Sequence, residues 1–165
     1  MKLRSSYVLY GVVAIALAVW ALSLLDRDAR RIRRRLAEIE ELIEKNGQEN
    51  SLVAANKARL LGGFFTTAFE IDILPYSQVV TDRQQLMRAA MGYRSRSQRI
   101  GVSFCEQDLA IDGERRSADM ELVAELTGRR VSLAPERYQL RMQWSEEDGE
   151  WRIRRLEVLE MPEGP

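Results

Sequence analysis

The stretch RYQLRMQWSEEDGEWRI, residues 137–153, decides the fold of this chain. Apolar residues occupy every second position on both sides of its centre: Tyr138, Leu140, Met142, Trp144, Trp151 and Ile153. Alternation with a period of two is typical of strands that bury one face. The Asp148-Gly149 pair between the two halves suits a tight turn, because both residue types accept positive φ angles. The stretch therefore predicts a hairpin of two antiparallel strands with one face in a core.

Two more strands precede this hairpin, and the patterns predict that the sheet bends. Residues 117–126 alternate between apolar and polar side chains, and Asp112-Gly113 supplies the turn before them. The apolar positions change parity between Cys105 and Asp108, and again at Arg154-Arg155, so we predict a β-bulge at each place. The polar faces of neighbouring strands carry opposite charges. That pattern predicts either a solvated outer face or a surface used by a second copy of the chain.

Three helices are predicted before these strands. The first covers residues 26–46 and is basic and amphipathic, with one apolar stripe. The stripe consists of Ile32, Leu36, Ile39, Leu42 and Ile43. The second helix begins after the N-cap Asn50 and ends at Gly62-Gly63. A short hairpin within residues 69–80 follows, and the third helix begins at Thr81 or Asp82.

The N-terminal end is the longest apolar part of the chain. Residues 7–25 contain no charged residue and follow a basic flank at 1–6. About 20 apolar residues in a helix cross a hydrocarbon core of about 30 Å, so we predict a single transmembrane helix. The alternative is a secretory signal peptide, whose apolar part is usually about 7–15 residues long. The longer run, with leucines up to its edge, favours the membrane anchor.

A cluster of arginines, here called the arginine collar, follows the anchor directly. It consists of Arg27, Arg30, Arg31, Arg33, Arg34 and Arg35. We predict that the collar contacts anionic lipid headgroups, an attraction of about 1 kcal/mol per basic residue. Basic flanks stay in the cytoplasm, so the count favours a cytoplasmic domain on a cell-membrane anchor. The alternative is a signal anchor that carries the domain across the membrane, because the segment before the span is short and basic.

Composition argues against several kinds of site. The chain has 25 basic and 25 acidic residues, so no overall field favours nucleic acid. The basic residues beside the anchor also lack interleaved aromatic side chains for stacking on bases. With no His and a single Cys, Cys105, a zinc site lacks its usual ligands. We therefore predict no metal, no cofactor and no nucleic-acid partner.

In the order and spacing of its elements, the chain from Arg27 to Glu160 resembles the nuclear transport factor 2-like superfamily, which includes SnoaL-like proteins. Three helices, with a small hairpin among them, precede four long strands that end in the pattern Trp144-x6-Trp151-Arg152-Ile153. The resemblance implies an α+β domain in which three helices pack on a strongly bent antiparallel sheet. This cystatin-like sheet closes into a cone-shaped barrel around an apolar pocket. The domain would comprise the first helix and residues 47–160, followed by a tail at 161–165.

Candidate lining residues of such a pocket are Met and aromatic side chains. They are Tyr76, Met91, Tyr93, Phe104, Met120, Tyr138, Met142 and Trp144. These residue types fit a packed core as well as an adaptable apolar site. Enzymes of the superfamily, such as the ketosteroid isomerases and scytalone dehydratase, use Asp, His or Tyr inside the cone.

The catalytic candidates are therefore limited to carboxylates and tyrosines. They are Glu70, Asp72, Asp82, Tyr76 and Tyr93. None of them aligns with a catalytic role in those enzymes, and the parity of Asp72 directs it to water. We predict a membrane-anchored, non-enzymatic interaction or dimerisation module that uses its sheet face or the mouth of the cone. Two alternatives stay open: binding of an apolar small molecule in the cone, and lyase or isomerase chemistry.

Overall fold

The computed structural model describes residues 27–74, 78–128 and 135–160, apart from the side chain of Glu160. The predicted anchor at 7–25, its basic flank and the tail at 161–165 lie outside these ranges. No helix within them is both long and apolar enough to cross a membrane.

Three helices and seven strands are found in the described ranges, which confirms the predicted α+β class. The helices are α1 over residues 27–43, α2 Ser51–Gly62 and α3 Arg83–Arg96. The strands are β1 Lys45–Asn46, β2 Phe65–Ile73, β3 Gln78–Val80, β4 Arg99–Asp112, β5 Ser117–Thr127, β6 Glu136–Glu147 and β7 Glu150–Glu160. They form one curled sheet in the order β1-β4-β5-β6-β7-β2-β3.

The sheet is mixed, so the prediction of an entirely antiparallel sheet was wrong. Strands β2 and β7 are parallel, with Phe65 opposite Ile153 and Ile71 opposite Leu156. The other pairings are antiparallel. Residues 74–149 separate β2 from β7, so no tight turn imposes an antiparallel direction on them. Sequence alternation alone does not distinguish the two directions.

Both predicted bulges are confirmed. The register of β4 against β5 shifts between Cys105 and Asp108. The register of β6 against β7 shifts where Gln143 faces Arg155 and Trp144 faces Ile153, which leaves Arg154 as the extra residue. Each bulge increases the local twist and bend of its strand. The bulges therefore help the sheet to curl around the helix α1.

The inner face of the curled sheet packs against the apolar stripe of α1. Ile32, Leu36 and Ile39 are at most 4 % exposed and belong to one apolar cluster with the inner residues of the sheet. Those inner residues include Met120, Met142, Trp144, Trp151 and Ile153. Full burial of a large apolar side chain contributes roughly 1.5–3 kcal/mol. The predicted stripe of α1 is thus a packing face of the domain.

The predicted caps position the helices. Asn50 accepts a hydrogen bond from the backbone N of Leu52, and Asp82 accepts one from the backbone N of Gln84. The helix α1 ends at residue 43, earlier than the predicted end at residue 46. Lys45 and Asn46 instead pair with Ile100 and Arg99 of β4. The chain after α1 therefore joins the edge of the sheet before α2 begins.

Candidate functional site

Within the described ranges, the candidate lining residues do not converge on one pocket. Met120, Met142 and Trp144 are at most 3 % exposed and fill the inner face of the sheet. Phe104 and Tyr138 are half-buried and pack against this cluster. Met91 is exposed on α3, and Tyr76 lies outside the described residues. Of the predicted set, only Tyr93 borders the apolar groove that the structure does contain.

The apolar groove lies between the three helices, near the C-terminal end of α1, and has a volume of about 260 Å³. Its lining includes Leu42, Ala58, Leu61, Leu86, Ala90 and Tyr93. On α3, the positions 86, 90 and 93 recur at helical spacing and form one face. Ala58, Ala89 and Ala90 are too small to close the gap between the helices. The groove is therefore a consequence of alanines at positions where the helices approach one another.

A second depression, here called the basic depression, continues from the apolar groove along α3. It is lined by Arg88, Gly92 and Arg96 and has a volume of about 530 Å³. It shares Ala89 and Tyr93 with the apolar groove. A Cβ atom at Gly92 would meet nothing within 4 Å, which confirms that this side of the helix is open. Together the two depressions form one continuous surface, with an apolar part and a positively charged part.

Arg94 lies beneath this surface and holds the end of α1. Its guanidinium donates two hydrogen bonds to the carboxylate of Glu49, at 2.8 and 2.7 Å. It also donates to the backbone oxygens of Leu42, Ile43 and Glu44 at 2.8–3.2 Å. These carbonyls end α1 and have no partner within the helix. A fully hydrogen-bonded cation thus caps α1 from another helix.

Lys45 makes the reciprocal contact. Its Nζ donates to the backbone oxygens of Arg94 and Ser97, both at 2.7 Å, and so caps the C-terminal end of α3. The C-terminal end of α1 is therefore capped by a cation from α3, and the C-terminal end of α3 is capped by a cation that follows α1. The hydrogen bonds from Arg94 lower the pKa of the Glu49 carboxyl, and burial opposes this only in part. Glu49 stays ionised at neutral pH, as the ion pair requires.

No sequence pattern identifies Glu49, Lys45 and Arg94 as a cluster. The sequence contains one weak indication of this cluster. Arg94 directly follows Tyr93, the last of the groove-lining residues Leu86, Ala90 and Tyr93 on α3. An Arg or Lys next to the apolar face of a helix often pairs with a buried carboxylate or donates hydrogen bonds to the C-terminal end of a helix. The partner Glu49 lies 45 positions away, and no local pattern connects the two.

The catalytic candidates that the structure describes lie away from the inner face of the sheet. Glu70 and Asp72 of β2 approach the guanidinium of Arg155 at 3.6 and 3.5 Å. Asp82 serves as the N-cap of α3, and Tyr76 lies outside the described residues. Tyr93 borders the apolar groove, as described above. Among the candidates that the structure describes, only Glu70 and Asp72 lie together, and they do so at Arg155 on the polar face of the sheet.

The polar face of the sheet carries a ladder of ion pairs across four strands, here called the charge ladder. Arg141 contacts Glu121 at 2.8 Å and Glu157 at 3.3 Å. Arg155 contacts Glu157 at 2.9 Å and extends the ladder to β2 through Asp72. Hydrogen bonding to Glu121 raises the pKa of Arg141 further above its usual range. The predicted pairing of opposite charges across the strands is confirmed.

The arginine collar is divided between internal and exposed positions. Arg35 contacts Glu150 at 2.8 Å and lies over the ring of Phe64, 5.2 Å from its centroid. Arg31 donates to the backbone oxygen of Gly149 and lies 3.7 Å from Glu146. Both therefore hold the turn between β6 and β7. The exposed members of the collar are Arg27, Arg30, Arg33 and Arg34.

Comparison with solved structures identifies the architecture. No family model and no curated protein matches the sequence. A nuclear transport factor 2-like protein with a cystatin-like fold from Novosphingobium aromaticivorans has a TM-score of 0.63 and 14 % identity, and the match covers 86 % of this chain and 88 % of that one.

Two further structures have similar scores. A candidate scytalone dehydratase from the same species has a TM-score of 0.64 and 16 % identity, with 79 % and 82 % of the two chains covered. A Nostoc punctiforme protein of unknown function with a cystatin-like fold has a TM-score of 0.61 and 11 % identity, with 79 % and 89 % covered. At such identities the similarity concerns architecture alone. The described part of this chain has the nuclear transport factor 2-like, cystatin-like cone fold.

Proposed function

We propose that this protein is a membrane-tethered, non-enzymatic interaction module whose cone domain binds protein partners. The observation that carries the proposal is the set of apolar side chains exposed on the helices α2 and α3. Leu52 is 76 % exposed, Val53 47 % and Leu60 41 %, and Met91 of α3 adds to them. Single exposed apolar residues are ordinary, but several on two neighbouring helices are typical of an interaction surface.

The packing of the inner face supports a non-enzymatic role. Met120, Met142 and Trp144 are at most 3 % exposed and pack within the apolar cluster, which leaves little space for a substrate beside them. Among the acidic candidates, Asp72 is engaged by Arg155 on the polar face of the sheet. A general base must lie within hydrogen-bonding reach of its substrate, and Asp72 faces away from the groove. Lyase or isomerase chemistry is therefore the least supported alternative.

The tether is tested by fractionation of cells that express the full chain. We expect it to stay with the membranes after alkaline carbonate washing. Val13→Arg combined with Leu17→Arg should release it, because an Arg at the centre of a span costs roughly 2.5–3.5 kcal/mol. Arg33→Ser combined with Arg34→Ser is the control that should stay in the membrane fraction. Release of the unmodified chain by the wash would refute the tether.

Self-association through the charge ladder is the form of interaction that the polar face supports. In each ion pair of the charge ladder, such as Arg141 with Glu121, both partners belong to the same chain. In a two-fold dimer, arginines of one copy would therefore pair with carboxylates of the other copy, in place of their partners within the same chain. We expect a dimer in detergent by light scattering, and we expect Arg141→Glu to dissociate it while Arg115→Glu, in the turn between β4 and β5, does not. A monomeric unmodified chain would exclude this interface.

The apolar groove supports a second candidate function, the binding of an apolar small molecule. Its volume of about 260 Å³ is slightly below the roughly 300–1,000 Å³ of ordinary ligand pockets. The test is mass spectrometry of organic extracts from the purified full chain. A compound that co-purifies with the chain and is lost in Ala90→Trp, which fills the groove, would favour this function over the first.

A further inference from the structure

The helices α2 and α3 form a positively charged layer in a chain whose net charge is zero. All of their charged residues are basic: Lys57, Arg59, Arg83, Arg88, Arg94 and Arg96. No Asp or Glu occurs between Asp82 and Glu106. The compensating carboxylates belong to other elements, so the charge of the whole chain conceals this layer. Its field attracts acidic groups over roughly a Debye length, about 8–10 Å in physiological salt.

The basic residues of this layer differ in what they contact. Lys57 and Arg94 bind Glu49, and Arg83 donates to backbone oxygens of β2 at 3.2 and 3.4 Å. Arg88 donates to a carbonyl of its own helix, and no carboxylate in the described ranges pairs with Arg88 or Arg96. Arg88 and Arg96 line the basic depression. These two guanidinium groups are therefore available to an external anion.

The spacing of the two arginines suits an elongated partner. They are eight positions apart on α3, which corresponds to about 12 Å along the helix axis. The apolar groove opens beside them through the shared residues Ala89 and Tyr93. A partner that fills the groove with one apolar side chain can thus place carboxylates near both arginines. Anchors of this kind, which fill a pocket and are flanked by polar contacts, dominate the affinity of many interfaces.

We propose that this surface binds an acidic amphipathic segment of a partner protein. This proposal rests on the interaction role proposed above and specifies the chemistry of the partner. One apolar side chain enters the groove between the helices, and Asp or Glu side chains on either side of it pair with Arg88 and Arg96. The groove is concave, and its volume suits a side chain better than a whole ligand. A lipid surface would meet the arginines but would leave the groove empty.

The experiment uses the full chain in phosphatidylcholine nanodiscs. The only cysteine is replaced by Cys105→Ser, and Gln85→Cys, one turn before Ala89 on α3, carries an environment-sensitive dye. A phage-displayed library of random peptides is first selected on the unlabelled chain. We expect the enriched peptides to combine a large apolar residue with flanking Asp or Glu, and to shift the dye emission in a saturable manner.

Variants then identify the contacts. Arg88→Ser combined with Arg96→Ser should weaken binding about tenfold, as expected for the loss of two partly exposed ion pairs. The matched control is Arg59→Ser combined with Arg115→Ser, which removes the same charge outside both depressions and should change binding less than twofold. Ala90→Trp should abolish the emission shift by filling the groove. Lys in place of Asp and Glu in the peptide should also abolish it.

Several outcomes would overturn the proposal. Enrichment of peptides without acidic residues, or equal weakening by the two double variants, would show that Arg88 and Arg96 do not select the partner. An emission shift caused by phosphatidylglycerol in the nanodisc, without peptide, would assign the surface to lipid. Failure of every peptide, with the dimer or another specific complex still present, would remove this inference and leave the interaction role intact.

Discussion

At the scale of single residues, substitution of Arg94 is expected to lower stability strongly. Its side chain is 6 % exposed, and its partner Glu49 is 9 % exposed. Removal of one partner of a buried ion pair usually costs about 3–5 kcal/mol, because the other charge is left without compensation. We therefore expect Arg94→Leu to lower the free energy of unfolding by about that amount. Urea unfolding of the full chain in detergent, followed by Trp fluorescence, measures the change.

The matched control lies two residues further along the same helix. Arg96→Leu removes an exposed Arg and should change the free energy of unfolding by no more than about 0.5 kcal/mol. Equal effects of the two substitutions would mean that the hydrogen bonds to the end of α1 contribute little. Loss of Arg94 also leaves the carbonyls of Leu42 and Ile43 without their donor, so α1 should fray at that end.

The same ion pair predicts a dependence of stability on pH. The pKa of Glu49 is lowered in the folded state by Arg94, so the folded protein binds the proton more weakly than the unfolded chain does. The contribution of Glu49 is therefore present above its ordinary pKa and is lost as the pH falls through the lowered value. Glu49→Gln should be less stable than the unmodified chain at pH 7, and the difference should shrink on acidification. Unfolding curves across this pH range test it, and a constant difference would contradict it.

At the scale of elements, the turn between β6 and β7 is attached to the N-terminal half of α1. The charge of Arg35 lowers the pKa of Glu150, the first residue of β7 after this turn, and Trp151 donates to Asp28 at 3.3 Å. We expect Arg31→Ser combined with Arg35→Ser to lower the free energy of unfolding by about 1 kcal/mol, since both arginines are partly exposed. The same two substitutions should have only a small effect on binding to anionic lipid.

The neighbouring pair of arginines provides the contrast. Arg33 and Arg34 are exposed on the same helix, and Arg34 contacts only Glu38, at 3.4 Å, among the described residues. Arg33→Ser combined with Arg34→Ser should leave stability unchanged and weaken attraction to phosphatidylglycerol vesicles. Urea unfolding and vesicle cosedimentation separate the two roles. If the two double substitutions lower the free energy of unfolding equally, the division of the arginine collar into residues that stabilise the fold and residues that face lipid is wrong.

Elements also differ in how far the sequence determines them. The long strands and both bulges were predictable, because the alternation of apolar residues and its change at Arg154 are local. Caps such as Asn50 and Asp82 were predictable for the same reason. The parallel pairing of β2 with β7 and the contact between Glu49 and Arg94 were not, because each joins distant positions. The apolar groove could not be predicted, because it exists where side chains such as Ala58 are too small to fill the space between the helices. A gap of this kind produces no periodic pattern in the sequence.

At the scale of the whole molecule, the side of the membrane is the decisive property for any partner. The arginine count around the predicted span favours the cytoplasm. We therefore expect a tag added after Pro165 to resist protease in intact cells and in cells with an opened outer barrier. It should become sensitive only when the inner membrane is dissolved by detergent. Digestion once the outer barrier is opened would place the domain outside the cytoplasm.

The contact between Asp28 and Trp151 joins residues that are 123 positions apart. A ribosome that adds about 5–20 residues per second completes α1 on the order of ten seconds before it supplies the last two strands. During that interval the apolar stripe of Ile32, Leu36 and Ile39 lacks most of the surface that later covers it. Chaperones and proteases can recognise the stripe in that form. A chain that stops short of the final hairpin lacks the Trp144, Trp151 and Ile153 side chains that cover the stripe, so the stripe stays exposed.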